Sequence, residues 1–198
     1  MPNPAPRRLG LLGGTFDPPH LGHLAAALTV LTEVGLDHVD FLVANDPWQK
    51  SDGRAVTPAP IRRQMVEALV DGHRGLGVDD REIRRGGPTY TADTLEEIHR
   101  EHPDTEVFLI VGADTAERMS TWHRPEVVRS LSTLVIVNRN GQLSSSHTDS
   151  AIHVSMTPVD ASSTAIRARV AVGESVSHLT TESVIRIIDE HGLYRSTT

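Results

Sequence analysis

The chain has 198 residues, a formal net charge of −7 and no cysteine. Disulfides, thiolate metal sites and a cysteine nucleophile are therefore excluded, and the negative charge argues against broad binding to nucleic acid. The apolar runs are much shorter than the ~18 to 20 residues of a membrane span, and no signal-peptide pattern opens the chain. We therefore expect a soluble cytoplasmic protein with no membrane contact.

Strand-like and helix-like stretches alternate along the chain. After a flexible lead-in at residues 1–7, we predict a single domain at residues 8–198. The predicted strands lie near residues 8–13, 38–44, 76–83, 106–111, 133–138 and 152–156, and the predicted helices near 21–34, 58–71, 92–102, 124–131, 163–170 and 181–190. This alternation predicts an α/β fold with a mostly parallel sheet and helices on both faces. Ligands of such sheets bind beyond the carboxyl ends of the strands.

The turn after the first strand carries two glycines and two histidines, in the sequence Gly-Gly-Thr-Phe-Asp-Pro-Pro-His-Leu-Gly-His. Because it opens onto a helix N-terminus, its backbone N–H groups favour an anion, and Gly13 and Gly14 let a phosphate approach closely. His20 and His23 are three residues apart, so both imidazoles can reach one phosphate. The turn therefore predicts a phosphate site.

Spacing alone does not establish that site, since His-x-x-His is often two solvated surface side chains. We expect this of His99 and His102, which have the same spacing on a polar helix. The glycines, the strand before the turn and the helix after it distinguish His20 and His23 from that pair.

These residues resemble the signature of the nucleotidyltransferase superfamily, in the form typical of bacterial nicotinate-nucleotide adenylyltransferases. The resemblance runs in order from about Leu9 to Tyr194. It implies a Rossmann-like, doubly wound fold and transfer of AMP from ATP to nicotinate mononucleotide, giving deamido-NAD and pyrophosphate in NAD biosynthesis. It also implies catalytic roles for His20 and His23 and phosphate docking by the amides of Thr15 and Phe16. Mg²⁺ would be bound mainly through ATP phosphates, with no dedicated metal ligands.

An irregular polar stretch, residues 45–51, follows the second predicted strand. Its Lys50 can fold over ATP phosphates as a flexible charge, although a loop lysine is usually only solvated. The resemblance implies a catalytic lysine here. Trp48 and Gln49 depart from the family's usual residues before it.

Residues 86–95 form a glycine-rich stretch that leads into a predicted helix. From the residues alone, Thr91 or Thr94 can cap that helix, and Tyr90 can be a core ring. The resemblance implies that Tyr90, Thr91 and the amide of Ala92 bind the nicotinate nucleotide. An amide at a helix start would favour the nicotinate carboxylate over a neutral carboxamide.

Gly112 and Asp114 follow the fourth predicted strand. The Asp114 carboxylate can accept hydrogen bonds from adenosine, or it can cap a helix. The resemblance implies ATP binding at both residues and a nicotinate contact at Trp122 and His123. A tryptophan beside a pyridinium gains roughly 0.5 to 2 kcal/mol, and a core tryptophan is the alternative.

The last segment of interest is the hydroxyl-rich turn at residues 160–169. Ser163 and Thr164 can cap the following helix and bind ATP phosphate. Arg167 lies in the first turn, where a cation opposes the helix dipole, so an anionic ligand or a carboxylate partner is expected. The resemblance implies a catalytic role for Arg167.

Two alternative functions stay open at this point, one within the enzyme class and one outside it. Within the enzyme class, the acceptor could be nicotinamide mononucleotide or phosphopantetheine, although the segments around Tyr90 and Trp122 resemble a pyridine-nucleotide pocket. Outside it, the chain could be a nucleotide-binding sensor without turnover. A zinc hydrolase is disfavoured, because the His20 and His23 pair lacks an adjacent glutamate. The oligomeric state is open, a homo-oligomer included.

Overall fold

A computed structural model describes residues 6–46, 55–138 and 151–195. The strands in these ranges are β1 (Arg8–Gly14), β2 (His38–Val43), β3 (Leu76–Asp79), β4 (Glu106–Gly112), β5 (Thr133–Asn138) and β6 (Ile152–Ser155). The α-helices are α1 (Leu21–Glu33), α2 (Ala59–Val70), α3 (Arg81–Arg85), α4 (Thr91–Glu101), α5 (Ala113–Glu117), α6 (Pro125–Leu131), α7 (Ser163–Ala171) and α8 (Glu182–Glu190). Across the described ranges, none of these helices combines the length and apolar character needed to cross a bilayer.

The six strands form one sheet in the order β3-β2-β1-β4-β5-β6, and every neighbouring pair is parallel. This confirms the predicted doubly wound, Rossmann-like α/β fold. The chain builds outward from β1 to β3, then returns to β4 beside β1 and builds the other half. The crevice at this reversal point, beyond the carboxyl ends of β1 and β4, is where ligands of such sheets bind.

Each face of the sheet carries its own core, because alternate strand residues point to opposite faces. On β1, Leu11 belongs to the core that includes α4, and Leu12 to the core that includes α1, α2, α7 and α8. The central strand β4 is apolar on both faces, with Leu109 and Ile110 both buried. The sheet is therefore covered on both sides, and its carboxyl edge is left to the loops.

The third strand is shorter than the prediction of residues 76–83. It ends at Asp79, and residues 81–85 form α3. The Asp79 carboxylate accepts the backbone N–H of Arg81 at 2.9 Å and also binds the Arg81 guanidinium. This local bond turns the chain out of the sheet, and no apolar period marks it in the sequence. The five-residue helix α5 was also not predicted, because it is too short to show a helical period in the sequence.

Left-handed glycines follow the helices α8 and α1, among others. Gly192 has φ 58°, and the N–H of Leu193 bonds to the carbonyl of Ile188 at 2.9 Å. Gly35 ends α1 with φ 68°. The first of these turns sends the chain after α8 back toward the end of β1.

We predict that Gly10→Ala destabilises the sheet. An added Cβ would lie 2.8 Å from Leu36 and 2.9 Å from Val39, and both side chains are held in a packed core. Overpacking of this kind costs about 1 to 3 kcal/mol of unfolding free energy. Urea unfolding measures it, with Gly13→Ala as the control because nothing lies within 4 Å of a Cβ there. Equal losses in the two variants would contradict the packing argument.

Candidate active site

The signature turn, residues 15–20, joins β1 to α1, and all of its residues are buried. Phe16 has φ 52°, and the peptide between Asp17 and Pro18 is cis. A Cβ on Gly14 would lie 2.7 Å from the Phe16 ring, so this ring needs a glycine beneath it. Gly13 faces open space, which leaves its backbone accessible.

Side chains from other elements hold four carbonyls of the signature turn. The donor and acceptor pairs are Arg62 to Thr15 at 2.7 Å, Arg167 to Asp17 at 2.8 Å, Ser163 to Pro18 at 2.8 Å, and Thr180 to Pro19 at 3.0 Å. A peptide N–H points opposite to the carbonyl of the preceding residue. The N–H of Phe16 therefore points away from Arg62. Ala44, the residue after β2, donates to the carbonyl of Gly14 at 3.0 Å. The N–H of Thr15 therefore points away from Ala44.

The carboxylate of Asp17 is buried behind the turn, with 3% of the residue exposed. The Tyr194 hydroxyl donates to it at 2.6 Å, and the backbone N–H of Thr57 donates at 3.4 Å. Burial and this bond to Asp17 raise the pKa of Tyr194 above its ordinary value. The segment after α8 thereby supports the signature turn, a role that the sequence did not indicate.

Arg62 is the largest functional feature missed from the sequence. It is 1% exposed, and it donates to the carbonyls of Thr15, Thr57 and Asn45. Burial lowers the pKa of its guanidinium, and the charge of Asp17 opposes that effect. A signal was present, because Arg62 occupies a position of the apolar stripe of α2 that continues at Met65, Val66 and Leu69.

The two histidines form one capping unit at the start of α1. His20 is the N-cap, and its Nδ1 accepts the N–H of Gly22 at 3.1 Å. The Nδ1 of His23 accepts the N–H of His20 at 3.2 Å, and the two rings stack with centroids 3.7 Å apart. The two imidazoles therefore lie against each other at the start of α1, and their shared contact with one phosphate stays a prediction. A Cβ on Gly22 would lie 3.0 Å from the His20 ring, so the glycine between the histidines leaves room for this ring.

These backbone bonds select the tautomer of both rings. A nitrogen that accepts an N–H bond carries no proton, so each neutral ring has its proton on Nε2. Protonating Nδ1 would break a cap bond of α1. In the neutral form, the pair therefore presents two Nε2–H groups beside the positive end of a helix dipole.

The start of α7 docks on the signature turn, but its cap differs from the prediction. Ser162 is the N-cap and accepts the N–H of Ala165 at 3.1 Å, so neither Ser163 nor Thr164 caps this helix. Ser163 instead binds the turn, and the Arg167 guanidinium donates to Thr164 at 3.2 Å as well as to Asp17. The cap is one residue earlier because Ser162 alone has the extended backbone of an N-cap.

The predicted nicotinate-nucleotide residues meet at the start of α4. Tyr90 is the N-cap residue without a side-chain cap bond, so neither Thr91 nor Thr94 caps α4. The Tyr90 ring lies 4.4 Å from the His123 ring, centroid to centroid. Trp122, next to His123, packs partly against the core that contains Ala92.

Arg124 holds the Trp122–His123 segment against α4. It has φ 52° and pairs with Asp93 at 3.3 Å and with Glu96. The hydrogen bond to Glu96 raises the pKa of Arg124.

The remaining predicted residues divide into two groups. Gly112 ends β4 and is the N-cap of α5, with Asp114 exposed in its first turn, so the alternative of Asp114 as an N-cap is wrong. Both residues lie at the carboxyl edge beside the crevice. Lys50, with Trp48 and Gln49 before it, lies outside the described residues.

A buried glutamate, Glu82, lies against the first turns of α4. Glu82 accepts the hydroxyl of Thr94 at 2.8 Å, and Thr89 also bonds to it. The Thr89 hydroxyl in turn accepts the N–H of Asn45 at 3.0 Å. Burial raises the pKa of Glu82 to about 7, with the bond from Thr94 and the charge of Arg85 opposing the shift.

We predict that Glu82 makes stability fall with pH in the neutral range. Its folded pKa lies near 7 against an ordinary 4.5, so the folded state binds the proton more tightly. The resulting stability is complete below about pH 4.5 and is lost as pH rises to about 7, by up to roughly 3 kcal/mol. Urea unfolding from pH 5 to 7.5 should show this loss in the wild type but not in Glu82→Gln. Glu33→Gln, at an exposed glutamate of α1, should keep the wild-type profile; identical profiles in all three proteins would refute the assignment.

Comparisons with known proteins identify relatives of this chain. A family model described as cytidylyltransferase-like matches residues 11–169. The chain is 39% identical over 198 residues to a probable nicotinate-nucleotide adenylyltransferase of Methylibium petroleiphilum, covering 95% of this chain and 92% of that protein. It is 41% identical over 192 residues to a protein of the same description from Corynebacterium kroppenstedtii, covering 94% and 90%.

A solved structure shows the same fold. It is Plasmodium falciparum nicotinic acid mononucleotide adenylyltransferase complexed with NaAD, at a TM-score of 0.76 and 15% identity, covering 95% of this chain and 97% of that one. The signature turn, the parallel sheet and the near full-length identities therefore lead to one conclusion: the chain belongs to the cytidylyltransferase-like family and, within it, to the nicotinate-nucleotide adenylyltransferases.

Proposed function

We propose that this protein transfers AMP from ATP to nicotinate mononucleotide, giving deamido-NAD and pyrophosphate. The observation that carries the proposal is the paired N-cap, in which His20 and His23 present Nε2–H groups beside the amides of a fixed turn. The 5′-phosphate of the mononucleotide attacks the α-phosphorus of ATP, and pyrophosphate leaves. No covalent intermediate on the protein is required.

The role of the histidines follows from their Nε2 atoms, which the cap bonds do not engage. As hydrogen-bond donors, they stabilise the charge that grows on the phosphoryl oxygens, and they need no proton transfer to do so. The amides of Thr15 and Phe16 dock the phosphates. The hydrogen bonds to the carbonyls of Gly14 and Thr15 direct these amides away from the protein behind the turn. Gly13 faces open space, so its backbone is accessible to the phosphates. Gly14 lies against the Phe16 ring and carries no side chain that would cover the backbone.

The triphosphate and the adenosine occupy the carboxyl edge around this turn. Arg167, Ser163 and Thr164 at the start of α7 bind phosphate, and Lys50, which follows β2 in the sequence, adds a charge. Gly112 and Asp114 bind the adenosine. The closeness of Arg167 and Ser163 to the turn supports this assignment, since both bind carbonyls of residues 17 and 18.

The nicotinate nucleotide binds at the start of α4. Tyr90, Thr91, Trp122 and His123 surround its ring, and the backbone N–H of Ala92 donates to its carboxylate. The ring contact between Tyr90 and His123 supports one shared pocket. The positive dipole end at the start of α4 favours the acid over the neutral amide.

Mg²⁺ suits this chemistry, and the donors present fit an ion carried by the substrate. Within the described ranges, no group of three or more histidine, aspartate or glutamate side chains is placed to hold a metal ion. Triphosphate oxygens and water would supply most ligands, as Mg²⁺ prefers. When bound, the ion neutralises charge on the triphosphate, while His20, His23 and Arg167 orient the α-phosphate.

The first test is pyrophosphate release with ATP and Mg²⁺, comparing nicotinate mononucleotide, nicotinamide mononucleotide and phosphopantetheine. We expect selectivity for nicotinate mononucleotide and a loss of kcat of at least about tenfold in His23→Ala, because a charge-stabilising donor is removed. The variant also loses a cap bond, worth about 1 kcal/mol, so rates are expressed per folded protein.

His102→Ala is the matched control, because it removes a histidine of the same spacing that is exposed at the end of α4. Release with another acceptor would change the substrate and keep the mechanism. ATP binding without pyrophosphate release for any acceptor would indicate a nucleotide-binding sensor instead of an enzyme. Full turnover in His23→Ala would remove that histidine from the mechanism.

A second prediction concerns Trp122. Trp122→Ala should raise KM for nicotinate mononucleotide about 2- to 30-fold, the loss expected for an aromatic contact with a pyridinium. KM for ATP should stay unchanged, and Trp122→Phe should retain most of the affinity. A shift of both KM values together would indicate a packing defect rather than a lost ring contact.

A further inference from the structure

We propose that Arg62 is a positioning residue. It fixes the signature turn relative to residues 87–89, which directly precede the proposed nicotinate-nucleotide residues at the start of α4. The inference rests on the proposed function, because it concerns how the two substrates are aligned. Arg62 lies in α2, outside the groups assigned above to substrate contacts.

The contacts of Arg62 connect three separate segments. Its Nη1 donates to the carbonyl of Thr15 at 2.7 Å, its Nε to that of Thr57 at 2.7 Å, and its Nη2 to that of Asn45 at 3.0 Å. Thr15 belongs to the signature turn, Asn45 follows β2, and Thr57 precedes α2. One rigid group therefore sets the mutual distances of all three backbones.

Asn45 extends this connection to the pyridine side. Its side-chain amide donates to the carbonyl of Gly87 at 3.0 Å, and its backbone N–H donates to Thr89 at 3.0 Å. Thr89 directly precedes Tyr90, the N-cap residue of α4. Two residues, Arg62 and Asn45, thus link the phosphate-docking turn to the start of the nicotinate pocket.

The chemistry of the position requires a guanidinium. The apolar stripe of α2 would accept a leucine here, whereas a buried cation carries a desolvation cost. Three carbonyls in different directions match the planar fork of arginine, and an ammonium group on a flexible stem cannot reproduce that geometry. The nearby charge of Asp17 stabilises the buried cation.

Alignment of this kind acts on the rate rather than on binding. In phosphoryl transfer, the attacking phosphate, the α-phosphorus and the leaving oxygen must lie in line. A displacement of about 1 Å can cost on the order of 100-fold in rate. Each substrate still finds its own pocket when the link is lost, so affinity changes less than turnover.

The test compares Arg62→Lys and Arg62→Ala with Arg63→Ala. Arg63 is the neighbouring arginine, and it forms partly exposed ion pairs with Glu67 and Asp80. For both Arg62 variants we expect kcat per folded protein to fall about 10- to 100-fold, with both KM values within about threefold of the wild type. Guanidinium chloride at low millimolar concentration should restore part of the rate of Arg62→Ala, and sodium chloride at equal ionic strength should not.

Several outcomes would overturn the proposal. Wild-type kcat in folded Arg62→Lys would show that charge alone is sufficient, and unfolding of both Arg62 variants would assign the residue to stability. A loss of rate equal to the fraction of unfolded protein, as measured by urea titration, would likewise assign Arg62 to stability. If the wild type releases no pyrophosphate, the proposed function itself fails, whereas an active wild type with undisturbed Arg62 variants defeats this inference alone.

Discussion

The site depends on how the carbonyl groups of the signature turn are satisfied. A buried carbonyl needs a hydrogen-bond partner, and this turn has two prolines and a left-handed Phe16, so regular secondary structure cannot provide one. Side chains of α2, α7 and the segment before α8 bind these carbonyls instead. The turn is thereby fixed from behind, with the amide of Phe16 directed away from Arg62 and the amide of Thr15 directed away from Ala44.

The same solution prepares the histidines. Because the turn enters α1 at a fixed angle, His20 takes the N-cap position, and His23 closes the capping unit. The two histidines therefore satisfy the backbone at the helix start, in addition to the catalytic roles proposed for them. Their rings stack at 3.7 Å, and a Cβ at position 22 would lie 3.0 Å from the His20 ring. Under the proposed mechanism, a histidine variant changes stability and turnover together.

The two halves of the site belong to different parts of the fold. The phosphate side is built on the carboxyl end of β1 and the start of α7, and the pyridine side on the start of α4 and the Trp122–His123 segment. Arg62, Asn45 and Thr89 join them through hydrogen bonds that pass the end of β2. Glu82 adds a buried, titratable support below the same loop. The relative placement of these two parts of the candidate site is therefore set by residues of the interior.

The sequence by itself determined the fold class and the signature turn. Apolar periods are local signals, so the parallel sheet and most element positions followed from them, and the turn between Gly13 and His23 indicated a phosphate site through its glycines and histidines. The tertiary structure alone decided what depends on distant residues: the Ser162 cap, the end of β3 at Asp79, the bond of Tyr194 to Asp17, and the burial of Arg62. An arginine in an apolar stripe can be recognised in a sequence, but the carbonyls that it binds lie up to 47 residues away. Their directions are set only when the sheet is assembled.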